Sequence, residues 1–383
     1  MSRIRSLALN SAAHIRFVLI PAIWLALFAY SGRPIVVAAQ AGGVTPELAW
    51  GGIFALSLLP LLPLLARRSG DLKRQSLMHW AGYSTLALFS LLLIFGLLSD
   101  VIRVFDLLIR ATIPSHALSF AVLGASALLS IVGLLQARCP RVKRVEVAIE
   151  SLPAELDGYR IAQWSDVHVS PTIQRRFVAA LVEKTNLLNA DAIVITGDLI
   201  DGHVDELRDQ VAPLADLRAR DGVFYVTGNH EYYWRAGEWA AEVERLGLTF
   251  LKNGHRVIER NGAKLVMAGI TDPVGRGTHK SDPQLALSGA PENAVKVLLS
   301  HRPQAANAAS KLGVDLQLSG HTHGGQFFPF NYIIRLFQPI VAGLHRVGRT
   351  WLYVSRGTGY WGPPSRLGVH GEITEVVLRN RSI

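Results

Sequence analysis

The sequence predicts a chain in two parts: an N-terminal helical membrane domain of about four transmembrane helices and a C-terminal α/β domain. Three observations carry that prediction. Four long apolar stretches precede residue 140. From Val145 onward, short β-rich runs alternate with amphipathic helical patterns, the order that α/β layering requires. Asp, Asn and His residues recur directly after those β-rich runs, where loops from one sheet edge converge on a crevice.

Composition agrees. The 383 residues are 50% hydrophobic and 18% charged, too apolar for an ordinary soluble protein. The net charge of +10 is uneven: residues 1–150 carry fourteen Lys/Arg against six Asp/Glu, the remainder twenty-five against twenty-three. The basic excess therefore belongs to the N-terminal part, and a nucleic-acid footprint on the second half is excluded. Cys139 is the only cysteine, so no intrachain disulfide forms. Its place just past an apolar segment suits palmitoylation, although an unmodified thiol is the simpler expectation.

The apolar stretches cover about residues 17–39, 48–66, 77–98 and 113–136, and together define a multi-pass membrane domain over 1–140. The first is interrupted by Ser31-Gly32-Arg33-Pro34. Ala39-Gln40-Ala41 has the shape of a signal cleavage site, but Arg33 and Pro34 between it and the apolar core favour an uncleaved span. The third and fourth contain no Lys, Arg, Asp or Glu, which argues against a transport path. Arg3, Arg5 and Arg16 precede the first span, Arg67, Arg68, Lys73 and Arg74 follow the second, and Arg138, Arg141, Lys143 and Arg144 follow the fourth. Positive residues face the cytoplasm, so both termini and the C-terminal domain are expected inside the inner or plasma membrane.

The second part, 145–383, opens with a strand at 159–164, a helix at 177–188, a strand at 192–196, a helix near 204–217 and a strand at 223–226. Strands near 265–268, 295–299 and 316–318 follow, with two more at about 351–354 and 373–378. After five of these strands stand Asp166-Val167-His168, Gly197-Asp198, Gly228-Asn229-His230-Glu231, Ser300-His301 and Gly320-His321-Thr322-His323-Gly324. Asp166, His168, Asp198, Asn229, His301, His321 and His323 supply two carboxylates, one amide oxygen and four imidazoles, enough for two divalent metal ions if Asp198 bridges them. Mixed oxygen and nitrogen donors without thiolate suit Mn²⁺, Fe or Zn²⁺. Two such ions about 3.5–4 Å apart activate a hydroxide and clamp the oxygens of a phosphoryl group.

In combination these five blocks resemble the signature of the calcineurin-like metallophosphoesterases, in particular its membrane-anchored members, over about residues 158–380. The resemblance implies a four-layer α/β/β/α sandwich and a metal-dependent phosphoric ester hydrolase, phosphodiesterase or phosphatase, working by metal-bound hydroxide attack. It implies that Asp166, His168, Asp198 and His323 hold one metal, and Asp198, Asn229, His301 and His321 the other. His230 would stand by the leaving group as a proton donor or charge stabiliser. The other class consistent with the sequence is a membrane sensor or transporter whose metal-binding domain binds a phosphorylated ligand without turnover. Residues 327–337, Phe-Phe-Pro-Phe-Asn-Tyr-Ile-Ile-Arg-Leu-Phe, are unusually apolar for a loop beside a catalytic mouth. They either pack as core or meet the bilayer or an acyl chain, which makes a lipid-linked phosphate a candidate substrate beside a small phosphorylated molecule. Glu231 is expected to support a ligand rather than be one. His203 and His255 are expected on surface loops. Arg302, Arg356 and Arg366 are expected either on substrate phosphate or in surface ion pairs.

Overall fold

The computed structural model of the chain describes residues 2–110 and 112–380, with side chains from residue 19 onward. Arg3, Arg5, Arg16 and Phe17 lie outside the described side chains. The chain divides into two compact units, Met1–Val132 and Gly133–Ile383.

The first unit is built from α1 (Ser2–Ala41), α2 (Pro46–Leu58), α3 (Leu62–Ala66), α4 (Leu72–Ile109) and most of α5 (Ser115–Arg138). Four segments are long and apolar enough to cross a membrane: Leu19–Ala41, Pro46–Ala66, Leu72–Ile109 and Ser115–Arg138. Phe28, Ile53, Phe89 and Leu92 form the unit's interior, while Leu48, Leu77, Leu107 and Leu108 are each more than 70% exposed. Helices with this much outward apolar surface fit a hydrocarbon surround. One expectation is revised. Ser31-Gly32-Arg33-Pro34 does not interrupt the first helix, and Arg33 lies within α1 rather than in a loop. Its guanidinium pairs with Asp100 of α4 at 2.7 Å, and the Tyr30 hydroxyl donates to the same carboxylate at 2.5 Å. Pairing with opposite charge is what makes an arginine tolerable there.

The second unit holds two six-stranded sheets. Its strands are β1 (Arg141–Ile149), β2 (Arg160–Trp164), β3 (Ala192–Thr196), β4 (Val223–Val226), β5 (Thr249–Phe250), β6 (Gly254–Arg260), β7 (Ala263–Gly269), β8 (Val295–Leu299), β9 (Leu316–Ser319), β10 (Gly343–Val347), β11 (Thr350–Val354) and β12 (Glu372–Asn380). The first sheet runs β1-β12-β2-β3-β4-β5 and the second β10-β11-β9-β8-β7-β6. Ile161, Val194 and Val226 of one sheet share a buried core with Met267, Val297 and Leu318 of the other, so the sheets pack face to face. Helices cover the outer faces. Trp164 of β2 donates its indole N–H to Thr185 of α6 (Arg175–Asn186), and α7 (Val204–Val211), α8 (Asn229–Tyr233) and α9 (Ala236–Arg245) complete that layer. Val266 and Leu298 on the far face of the second sheet pack with Ala286 of α10 (Pro283–Leu287) and Ala309 of α11 (Ala306–Lys311). This is the α/β/β/α sandwich.

For function, strand direction is what counts. β2, β3 and β4 are parallel in one sheet, and β7, β8, β9 and β11 in the other. The loops leaving their carboxyl ends therefore gather along one edge of each sheet.

Candidate metal centre

Every block singled out in the sequence leaves one of these parallel strands: Ser165–His168 after β2, Gly197-Asp198 after β3, Gly228–Glu231 after β4, Ser300-His301 after β8 and Gly320–His323 after β9. The loops keep pairing past the strand ends. Asp166 N–H donates to Gly197 O at 3.0 Å and His168 N–H to Asp198 O at 3.1 Å. The two sheets are braced here as well, since Gln163 of β2 donates to Ser319 O of β9 at 3.0 Å. Asp166, His168, Asp198, His321 and His323 all have φ between 51° and 74°, the left-handed region. Such strain costs about 1–3 kcal/mol per residue and persists where the surroundings impose it, typically at functional sites. Two glycines leave room. A Cβ at Gly228 would strike the Asp198 carboxylate, and one at Gly320 would strike Asp166 and the Ser165 hydroxyl.

The donor atoms converge in three overlapping groups: Asp166, His168 and His323; His168, Asp198 and His230; and Asp198, His301 and His321. Within each, the atoms lie within 4.8 Å of one another. His168 Nε2 stands 3.1 Å from His323 Nε2, and His301 Nε2 stands 3.1 Å from both Asp198 Oδ2 and His321 Nδ1. His301 donates its Nδ1–H to Thr196 O at 2.9 Å, which turns Nε2 to the cluster. The Asp166 carboxylate accepts the His321 backbone N–H at 3.0 Å, and Asp198 Oδ1 accepts that of His230 at 2.8 Å. Asn229 is buried at the start of α8, and its Oδ1 has no hydrogen-bond partner among the described residues.

Electrostatics tests whether a cation fits. Burial holds His168 and His323 well below the ordinary imidazole range, and burial with the nearby His301 pushes His321 down to about 4. His301 goes the other way. Burial opposes its charged form, but the Asp198 carboxylate outweighs burial and lifts it to about 10. The buried carboxylates thus call for positive charge beside three imidazoles, His168, His321 and His323, that resist protonation. Imidazole nitrogens crowded to 3.1 Å of one another beside buried carboxylates, and an orphaned amide oxygen, are the pattern that divalent ions satisfy.

Around His230 stand four residues with parts that no local pattern announced: Asp201, Trp234, Tyr233 and Trp361. His230 places Nδ1 2.9 Å from Asp201 Oδ1, with Nε2 turned towards Asp198 Oδ2 at 4.0 Å. Burial works against its charged form, yet the hydrogen bond to Asp201 and the Asp198 charge hold it above the usual range. The Trp234 indole N–H also donates to Asp201 Oδ1 at 2.9 Å and fixes that carboxylate. Asp201 stands three residues past Asp198, and no motif marks it in the sequence. Tyr233 and Trp361 set their rings 5.1 and 5.6 Å from His230, and both are more than half exposed at the rim.

Glu231 has the supporting part expected of it. Fully buried, it accepts the N–H groups of Gly228, Leu199 and Asp198 at 2.7, 2.7 and 3.1 Å. Burial and the Asp198 charge still push its carboxyl up to about 7. The arginines divide. Arg302 donates to Asp272 at 2.8 Å, and Arg356 is half-buried behind the His323-Gly324 turn. Arg366 meets neither expectation: it is wholly buried and donates to the backbone carbonyls of His323 at 2.9 Å, Arg356 and Gly359. His203 stands at the N-terminus of α7 beside Trp234, and half-buried His255 lies in β6 and contacts Ala286 O; neither belongs to a donor group. The segment 327–337 is not core. Around α12 (Phe330–Ile333), Phe330, Tyr332, Leu336 and Phe337 are 50–81% exposed.

Comparison with known proteins agrees with this geometry. The family model described as calcineurin-like phosphoesterase matches residues 159–325. The chain is 40% identical over 266 residues to the transmembrane protein with metallophosphoesterase domain of Bos taurus, a match covering 66% of this chain and 60% of that protein. The Danio rerio protein of the same name is 38% identical, with 66% and 61% covered. The chain thus spans about three fifths of the length of these curated relatives. An uncharacterized metallophosphoesterase of Aquifex aeolicus is 31% identical over 63% of this chain and 92% of its own length. With these matches following the strand-end blocks, the chain belongs to the calcineurin-like phosphoesterase family.

Proposed function

We propose that the chain is a membrane-anchored, two-metal phosphoesterase that hydrolyses phosphate ester or pyrophosphate bonds. The observation that supports it best is the sharing of Asp198 between donor groups that meet from two sheets. In this reading Asp166, His168, Asp198 and His323 hold one divalent ion, and Asp198, Asn229, His301 and His321 hold the second. When bound, such ions generate a nucleophile from water at neutral pH and offset charge on the phosphoryl oxygens.

The chain's own residues supply the rest. His230, its Nδ1 held by Asp201, presents Nε2 to the leaving oxygen and delivers the proton. Asp201 keeps the ring oriented and favours its charged form. Glu231 holds the Gly197–Leu199 and Gly228 backbones in register so that Asp198 and Asn229 face one centre. Tyr233 and Trp361 line the approach to His230.

The Lys/Arg distribution supports an α/β unit on the cytoplasmic side of the membrane. The exposed apolar side chains at 330–337 favour a lipid-linked phosphate over a freely diffusing one. The test uses full-length protein with Mn²⁺ and bis(p-nitrophenyl) phosphate, beside Asp198→Ala and His230→Ala. Turnover that falls in both variants and needs the metal supports the reading; equal, metal-independent rates in all three overturn it.

A further inference from the structure

We infer that segment 330–337 docks into the bilayer surface and holds the rim of the metal centre at the membrane interface. The occupant is the lipid surface itself.

The last turns of α5, from Gly133 onward, belong to the α/β unit. Arg366 N–H donates to Gly133 O at 2.9 Å, and Gly368 N–H donates to Gln136 Oε1 at 3.1 Å. A Cβ at Gly133 would strike the Ser365 hydroxyl, so this loop lies directly on the end of a helix suited to span a membrane. The same loop carries the apolar segment. Leu367 O accepts the Phe328 N–H at 3.0 Å, and Asn331 of α12 comes within 4.0 Å of a Cβ at Gly368. The segment is therefore one loop away from the point where α5 ends.

What it shows at that level is apolar. Tyr332 is 62%, Leu336 81% and Phe337 78% exposed, with Ile333 and Phe330 beside them and Arg335 exposed among them. Large apolar side chains flanked by a cation are the composition of an interfacial anchor. The segment is also bound to the site. The Gln326 side chain donates to Trp361 O at 2.9 Å and accepts the Trp361 N–H at 2.9 Å, and Trp361 borders His230. Arg366 joins the two ends, its backbone on Gly133 and its guanidinium on His323 O. A bilayer that takes up Leu336 and Phe337 brings lipid headgroups to the height of the His230 rim.

This inference rests on the membrane anchoring proposed above and does not require turnover. The test reads depth. In full-length protein carrying Cys139→Ser, single Leu336→Cys, Phe337→Cys and Leu187→Cys variants are nitroxide-labelled and reconstituted in phosphatidylcholine/phosphatidylglycerol vesicles. Leu187 is 74% exposed on the end of α6 and serves as the aqueous reference. Collisions with oxygen and with a water-soluble nickel chelate are compared. The expected result is an oxygen-to-nickel ratio several-fold higher at Leu336 and Phe337 than at Leu187. Equal ratios at all three positions overturn the inference. So does shielding from both reagents with spin–spin broadening, which means that a second copy covers the segment. Protein that gives the expected depths but never cleaves bis(p-nitrophenyl) phosphate sinks the hydrolase reading and leaves this one standing.

Discussion

The metal centre and the segment that follows it invert the usual partition in opposite directions. Asp166, His168, Asp198 and His301 are at most 2% exposed, whereas Leu336 and Phe337, only a short way along the chain, are 81% and 78% exposed. Polar groups are withdrawn from water in one place and large apolar groups are left out in the other. Each inversion is costly alone and therefore informative. Buried carboxylates and imidazoles need a charged partner, and a contiguous exposed apolar patch needs a non-aqueous one. The lesson is that one loop system carries two opposite demands, positive charge for its buried donors and a non-aqueous surface for its exposed apolar side chains.

Substitutions separate the two regions. Asp198→Ala removes the shared donor and should have the largest effect: turnover of bis(p-nitrophenyl) phosphate is lost, and metal bound per chain, measured by mass spectrometry, falls. Wild-type metal content in that variant would break the shared-ligand reading. His230→Ala should lower kcat by about 10²–10⁴, the usual worth of a positioned acid, with metal content unchanged. Equal losses of metal and rate would make His230 a ligand instead. Glu231→Gln keeps the shape but cannot accept three N–H groups equally. Loss of such support weakens metal affinity by about 10–100-fold, which a chelator titration reads, with kcat at saturating Mn²⁺ much less affected. Leu336→Ser with Phe337→Ser should leave soluble turnover and Tm nearly unchanged, as exposed substitutions typically stay within about 0.5 kcal/mol. Turnover of a phosphorylated lipid in vesicles should fall in that variant. Unaltered vesicle turnover would reduce the contrast to the metal centre alone.

Much of the site was legible because buried parallel strands read as apolar runs and the donors stand directly after them. Ala192–Thr196, Val223–Val226 and Val295–Leu299 lie where the sequence predicts strands, and Asp198, Asn229 and His301 follow within a few residues. The strands β1, β6 and β10 were not legible, because each stands at a sheet edge and only Val147, Ile149 and Ile258 among their residues are buried, which leaves no continuous apolar run. Helix α9 was missed as well, although Trp239 and Val243 are buried on its inner face.

By itself, then, the sequence determined the apolar spans, the order of the strands that end in donor residues, and the chemistry of the donor set. These are local, because a side chain's type and its distance from a strand end are set by neighbours in the chain. Only the tertiary structure decided that Asp201 meets His230, that Arg366 turns inward to the carbonyl of His323, and that residues 330–337 face outward. Those outcomes depend on partners far apart in the chain. A carboxylate becomes the partner that orients a histidine, or a phenylalanine a surface group, only when packing sets what stands opposite it.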